Sequence, residues 1–419
     1  MTTLSSLCDL IVDCEHRTAP TAASGYPLIR TPDVGVGRLH VETAQRVDEA
    51  TYRAWTKRAE PQEGDLILAR EAPVGNVGIV PPGVHPVLGQ RTVLIRPRPD
   101  ALDPYYLNYL LSGPKLRGWM ESVSSGVTLP HLNMADIRSM ELPLLPPLPT
   151  QRKVAAILSA YDALIENNNR RIKLLEEMAQ RMYREWFVDF RYPGHENVPL
   201  VDSELGAIPR GWTVSTLGNV CARITDGAHH SPATTETGMP MASVKDMTPR
   251  SLELSTCRLI SAEDYEALVR QDCRPRSGDV LVSKDGANFL KHVFPMFEDS
   301  VAVLLSSIAV LRPSNAISPV VLALTLRDPE NKAQLKGFVS GVAIPRVVLK
   351  DFKLHRLVLP MRDTQERFEE SSGAVMRQAV TLEYLNRRLR AARDLVLPHL
   401  ISGEIDVTYL DIAMPDVAA

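Results

Sequence analysis

The sequence is poor in several features that would each mark a protein class. It has five cysteines, at positions 8, 14, 221, 257 and 273, an odd number with no C-x-x-C pair. That pattern fits reduced thiols and argues against a disulfide framework or a zinc clasp. There is no charge-free apolar run of the length a membrane helix needs, and the start MTTLSSLCDLIVDCEHR lacks the basic-then-apolar order of a signal peptide, so a cytoplasmic location is expected. Charge of one sign is also missing: 47 Lys and Arg stand against 50 Asp and Glu, which excludes a uniformly basic nucleic-acid coat. Neither a G-x-x-x-x-G-K-[ST] phosphate loop nor a G-x-S-x-G elbow occurs, and no carboxylate cluster has nuclease spacing, so catalysis by this chain alone is not expected.

What is present is a duplication. Leu7 falls on Leu217, Asp13-x-x-His16 on Asp226-x-x-His229, Pro27 on Pro240, Asp33 on Asp246 and Tyr52 on Tyr265. Gly64-Asp65 then matches Gly278-Asp279, Arg96-Pro97 matches Arg312-Pro313, Gly126-Val127-x-x-Pro130 matches Gly341-Val342-x-x-Pro345, and Thr150-Gln151 matches Thr364-Gln365. Order is preserved at an offset close to about 214 residues, which chance does not maintain over such a span. Between these positions the halves differ freely, so the chain describes two variants of one module with different surfaces.

Each half opens with short apolar runs bounded by Gly and Pro, such as Asp65-Leu-Ile-Leu-Ala69 and Asp279-Val-Leu-Val-Ser283, which predict strands. Helical patterns interrupt them at Pro104 to Ser112 and Ala262 to Arg270. After Thr150 and Thr364 the composition turns to long Gly-poor segments with Thr as a possible N-cap. The first carries Leu158, Ile165, Ile172, Ala179 and Trp186 at seven-residue spacing, with Tyr161, Leu175 and Met182 three residues on and Asn168 as a polar exception. The second carries Phe368, Val375, Leu382, Leu389 and Val396, with Leu385 and Ala392 beside them. These heptads predict a coiled coil. The expected fold is α+β: two similar globular domains, residues 1–149 and 193–363, joined and spaced by two long antiparallel coiled-coil helices, residues 150–192 and 364–419 with the tail.

With these motifs assembled, the chain resembles the specificity subunits of type I restriction-modification systems. The resemblance rests on Leu145-Pro-Pro-Leu-Pro-Thr-Gln-Arg152, Trp186-Phe-Val-Asp-Phe190 followed by Arg-Tyr-Pro, Ser203-Glu-Leu-Gly-Ala-Ile-Pro-Arg-Gly-Trp212 and the closing Leu400-Ile-Ser-Gly-Glu-Ile-Asp406. Asp103-Pro-Tyr-Tyr-Leu-Asn-Tyr109 and Gly126-Val-Thr-Leu-Pro130 add to it. The first half lacks the Pro-x-Gly-Trp entry that precedes the second domain. The resemblance implies two target recognition domains that each read one half of a split site in double-stranded DNA. It also implies two modification subunits as partners, which hold S-adenosylmethionine and methylate adenine, and restriction subunits that translocate and cleave; no cofactor is expected in this chain. The competing readings are an autonomous DNA-modifying enzyme and a duplicated protein-binding scaffold.

The candidate DNA-binding residues are cations and imidazoles at aligned positions beside glycine-containing loops: Arg17 with His230, Arg70 with Lys284, His131 with Arg346, and the neighbouring Lys291 and His292. Cationic side chains suit phosphates and guanine edges. The Asp-x-x-His motifs read as ordered turns rather than metal sites, because no third or fourth ligand has suitable spacing. Asp103-Pro104-Tyr105-Tyr106 reads as a helix start with Pro in its first turn, not as an amino-methyltransferase motif, since the second Pro of that motif is missing.

Overall fold

The structure, a computed structural model, describes residues 2–124, 130–284, 289–337, 339–340, 346–347 and 349–413, with nothing given for the side chains of 339, 340, 346 and 347. The matched positions Gly126, Val127, Gly341, Val342 and Pro345, and the side chain of Arg346, lie outside the described residues.

The chain divides into two compact units, Met1–Glu166 with Asn386–Ala419, and Asn167–Leu385. Each unit therefore holds one globular domain together with a piece of each long helix.

In the first unit the main sheet runs in the order Cys8–Asp13, Thr92–Pro97, Leu66–Ala69, Val77–Ile79, Gly37–Arg38. A smaller sheet joins Gln45–Val47, Tyr26–Ile29 and Val87–Leu88, the last pair parallel. The run Leu66-Ile-Leu-Ala69 is wholly buried because both sheet faces are covered. Side chains alternate across a strand. Leu66 and Leu68 join Tyr106, Leu107, Leu110 and Leu158 in one core, while Ile67 and Ala69 join Ile29, Val80 and Leu94 in another. The second unit repeats the plan with the sheet Cys221–Asp226, Ile308–Pro313, Val280–Ser283, Val293–Pro295 and the companion Arg258–Ile260, Met239–Ala242, Val303–Leu304. Even an irregularity recurs: the first strand of each main sheet slips register, between Cys8 and Leu10 and between Cys221 and Arg223.

The first long helix, Leu148–Tyr183, continues through a wide turn at Arg184–Val188. The second starts with Arg362–Phe368, passes a wide turn at Glu369–Gly373 and continues as Ala374–Ser402. Within the first unit the helices run antiparallel: Asn386 Nδ2 donates to the Ile165 carbonyl at 3.4 Å, and Arg393 pairs with Asp162. Farther along, Lys153 Nζ donates to the carbonyls of Thr408 and Leu410. Within the second unit Ile172 packs on Ala379 and Leu382, and Met182 lies at Ser372.

The seven-residue column of the first helix is buried as expected at Leu158, Ile165, Ile172 and Ala179, and Asn168 is buried with it. Leu175 and Met182 are half-buried at its edge. In the second helix Phe368 and Leu382 are buried, while Val375, Leu389 and Val396 are half-buried. Leu385 departs from the expected pattern and is 43% exposed. The wide turn at Glu369–Gly373 advances the helix phase, so that Ser372, Met376, Ala379 and Asn386 face inward instead.

Candidate functional site

Both Asp-x-x-His motifs lie where the first strand of the main sheet ends, at Asp13 and at Asp226. His16 Nε2 lies 3.0 Å from Asp13, and His229 Nε2 lies 3.1 Å from Asp226. Each aspartate also pairs with the cation that follows the Gly-Asp strand, Arg70 at 2.6 Å in the first domain and Lys284 in the second. Arg70 is only 6% exposed. Its Nε donates to the Leu132 carbonyl at 2.8 Å, and its remaining terminal nitrogen lies 2.8 Å from His131 Nε2, whose other ring nitrogen meets Glu71 at 3.0 Å. The sequence marks Arg70, Lys284 and His131 as candidate DNA-binding residues. In the structure Arg70 and Lys284 have internal partners, as a buried cation must be paired and hydrogen-bonded.

The remaining candidates are more open. Arg17 places its guanidinium 4.0 Å above the Trp55 ring and keeps a distant contact with Glu15 at 3.7 Å. Its equivalent His230 is exposed, as is Lys291. His292 is half-buried, and burial with nearby Lys291 lowers its pKa.

The loop preceding the strand Thr92–Pro97 was not singled out by sequence. Arg91 has its backbone at φ 66°, donates its N–H to Cys14 Sγ at 3.2 Å, and accepts from Arg70 N–H at 2.9 Å. Its guanidinium reaches Glu71 at 2.9 Å while remaining 54% exposed. Exposed Gln90 donates to the His16 carbonyl at 3.3 Å. Position 91 is matched by Ser307, whose carbonyl accepts from Lys284 N–H at 3.0 Å as the Arg91 carbonyl accepts from Arg70.

Asp13, Cys14 and His16 bring one potential metal donor each within 4.8 Å of one another. The set is a poor metal cradle: Asp13 already faces the Arg70 guanidinium, and Cys14 Sγ already accepts a backbone N–H. In the second domain Gly227 replaces the cysteine, where a Cβ would approach the Leu304 carbonyl oxygen to 2.3 Å. Asp103 caps the helix Pro104–Ser112 by accepting from Tyr106 N–H at 2.9 Å, and Tyr106 is buried. Burial pushes the Cys8 and Cys221 thiols up to about 12 and the Cys257 thiol up to about 11.

The framework beneath the loops is the same in both domains. Arg96 forks onto Asp65 at 2.7 and 2.6 Å, and Arg312 forks onto Asp279 at 2.7 and 2.9 Å. The two matched motifs Gly-Asp and Arg-Pro thus meet as one ion pair, a link their separate positions in the sequence did not reveal. Hydrogen bonding to Asp65 and to Asp279 raises the pKa of Arg96 and Arg312. Gln151 binds Asp103 N–H and the carbonyls of Ala101 and Pro146; Gln365 binds Ser318 N–H and the carbonyls of Ala316 and Pro360. Each glutamine fastens the start of a long helix to its preceding domain.

Two frameworks of one pattern, with different loops at the same sheet end and helices fastened identically, define a duplicated module. A profile for the type I restriction modification DNA specificity domain matches residues 43–177. The MjaIX specificity subunit of Methanocaldococcus jannaschii is 23% identical over 377 residues, spanning 88% of this chain and 82% of that protein. The HindI specificity subunit of Haemophilus influenzae is 21% identical over 374 residues, 76% of this chain and 81% of that one. The fold matches the crystal structure of the type I S subunit from M. genitalium, with a TM-score of 0.62 at 14% identity over 96% of this chain and 95% of that one. Residues 43–177 thus match the type I restriction modification DNA specificity domain, and the chain is similar over most of its length to specificity subunits of such systems.

Proposed function

We propose that this chain reads an asymmetric, bipartite site in double-stranded DNA, one half per globular domain, and directs adenine methylation or restriction by partner subunits. The paired helices serve as the spacer between half-sites. Two modification subunits hold S-adenosylmethionine, and restriction subunits supply translocation and cleavage. The observation that carries the reading is the pairing of one shared framework, Asp65–Arg96 and Asp279–Arg312, with loops that differ at the same sheet end, Gln90-Arg91 against Ser306-Ser307. A single sequence read twice would need no such difference, and a split asymmetric site requires it.

Phosphate contacts position a protein on DNA and base contacts specify the sequence. Arg17, His230 and Lys291, exposed near these loops, suit the first role. The test is a genome-wide map of methylated adenines in the host with and without the gene. Loss of methylation at one split motif is the expected result; an unchanged map overturns the reading. Methylation of DNA by the purified chain alone would favour an autonomous enzyme instead.

A further inference from the structure

Non-glycine residues seldom adopt left-handed backbone angles, and they persist there only when their surroundings over-determine them. The first domain has two such residues on neighbouring loops at one sheet end, His16 at φ 54° and Arg91 at φ 66°. Gln90 links the loops through the His16 carbonyl, and Cys14 links them through the Arg91 N–H. Both strained residues send their side chains outward, 58% exposed for His16 and 54% for Arg91. Their equivalents in the second domain, His229 and Ser307, do not have left-handed angles.

Glycine would fit position 91 without strain, so an arginine there is explained by what its side chain does. Its backbone is pinned at both ends, by Cys14 Sγ and by Arg70 N–H. Glu71, itself 14% exposed, lies 2.9 Å from one terminal nitrogen and draws that end of the guanidinium toward it by charge, while much of the group stays open to a ligand. A planar fork carried on a loop whose backbone is held at both ends is suited to a pair of coplanar acceptors, as the O6 and N7 of guanine present in the major groove. Serine at position 307 has no such fork.

We propose that Arg91 is a base-reading residue of the first domain, that it recognises guanine, and that the second domain lacks this contact. The inference rests on the DNA-reading function above. The test selects binders from a randomised duplex library, using the full-length chain with its host's modification subunits, for wild type, Arg91→Gly and Arg91→Lys. Wild type should enrich a split motif with an invariant guanine in one half. Arg91→Gly should lower preference for that guanine roughly 10- to 100-fold. It should leave the other half-site unchanged. Arg91→Lys keeps the charge and should still lose much of the preference.

An unaltered motif in both variants overturns the assignment while leaving the DNA-reading function intact. A uniform loss across sequences, with the salt slope falling by about one, makes Arg91 a phosphate contact and also overturns it. If wild type itself enriches no split motif, the DNA-reading function fails and this assignment falls with it.

Discussion

Arg70 has a carboxylate, a carbonyl and an imidazole around one guanidinium, so its charge serves the fold of the sheet end. Arg70→Ala leaves Asp13 without its cation and the Leu132 carbonyl without its donor. The expected cost is about 3 kcal/mol, near the lower figure for breaking a buried pair because Asp13 retains 17% exposure. Denaturant unfolding measures it. Arg17→Ala removes an exposed cation from the Trp55 face and should change stability little. Under the proposed function it lowers the salt slope of DNA binding by about one, whereas Arg70→Ala leaves that slope unchanged. A second residue-scale effect lies in His355, which is buried with its Nε2 at 3.1 Å from Asn331 Oδ1. Burial drives its pKa down from 6.5 to about 4, so the folded unit keeps the ring neutral where the unfolded chain takes up a proton. Above pH 6.5 both states are neutral and nothing is lost. As pH falls from 6.5 to 4 stability should drop by a total of roughly 3 kcal/mol, with no further loss from this residue below 4. His355→Gln should flatten that part of the pH profile of unfolding.

At the scale of elements, a polar node in each unit ties the globular domain to its pieces of the helices. In the first unit Tyr109 donates to Asp162 at 2.6 Å, and Arg393 reaches the same carboxylate. In the second unit Arg250 bridges Glu176 at 2.8 Å and Glu383 at 3.4 Å, while Ser251 donates to Glu383 at 2.8 Å. Arg250 and Glu383 are only 16% and 13% exposed, so removing one partner leaves a poorly solvated charge. A double-mutant cycle of Arg250→Met with Glu383→Gln should return a coupling of about 1 to 3 kcal/mol in unfolding measurements. A coupling near zero would make the node incidental. The nodes were not legible in the sequence, because charges distant along the chain carry no sign of their partners. The inward column of the first helix was legible, since Leu158, Ile165, Ile172 and Ala179 follow an uninterrupted period. The second helix was legible only in part: a wide turn at Glu369–Gly373 changes the phase without changing the composition, and Leu385 consequently faces solvent.

For the whole molecule, the duplication was legible because the framework repeats the residues that bear its buried polar contacts: Asp65 with Arg96, Gln151, and their counterparts Asp279 with Arg312, Gln365. The proposed reading surface was not, because it depends on the residues that differ and on backbone angles such as that of Arg91. Composition likewise excluded a basic coat but could not show that Arg70 and Lys284 are internally paired. The proposed spacer role has a quantitative consequence. A heptad adds about 10.5 Å to a helix and returns its face to within about 20°. Set against a rise of about 3.4 Å per base pair, that length corresponds to roughly three base pairs. One heptad inserted into both helices, after Glu166 and after Leu385 where the two compact units divide, preserves the antiparallel pairing inside each unit. A map of methylated adenines in cells carrying this variant should show both half-sites unchanged and the unread gap longer by about three base pairs. If the half-sites themselves changed, or the gap kept its length, the helices would not set the spacing.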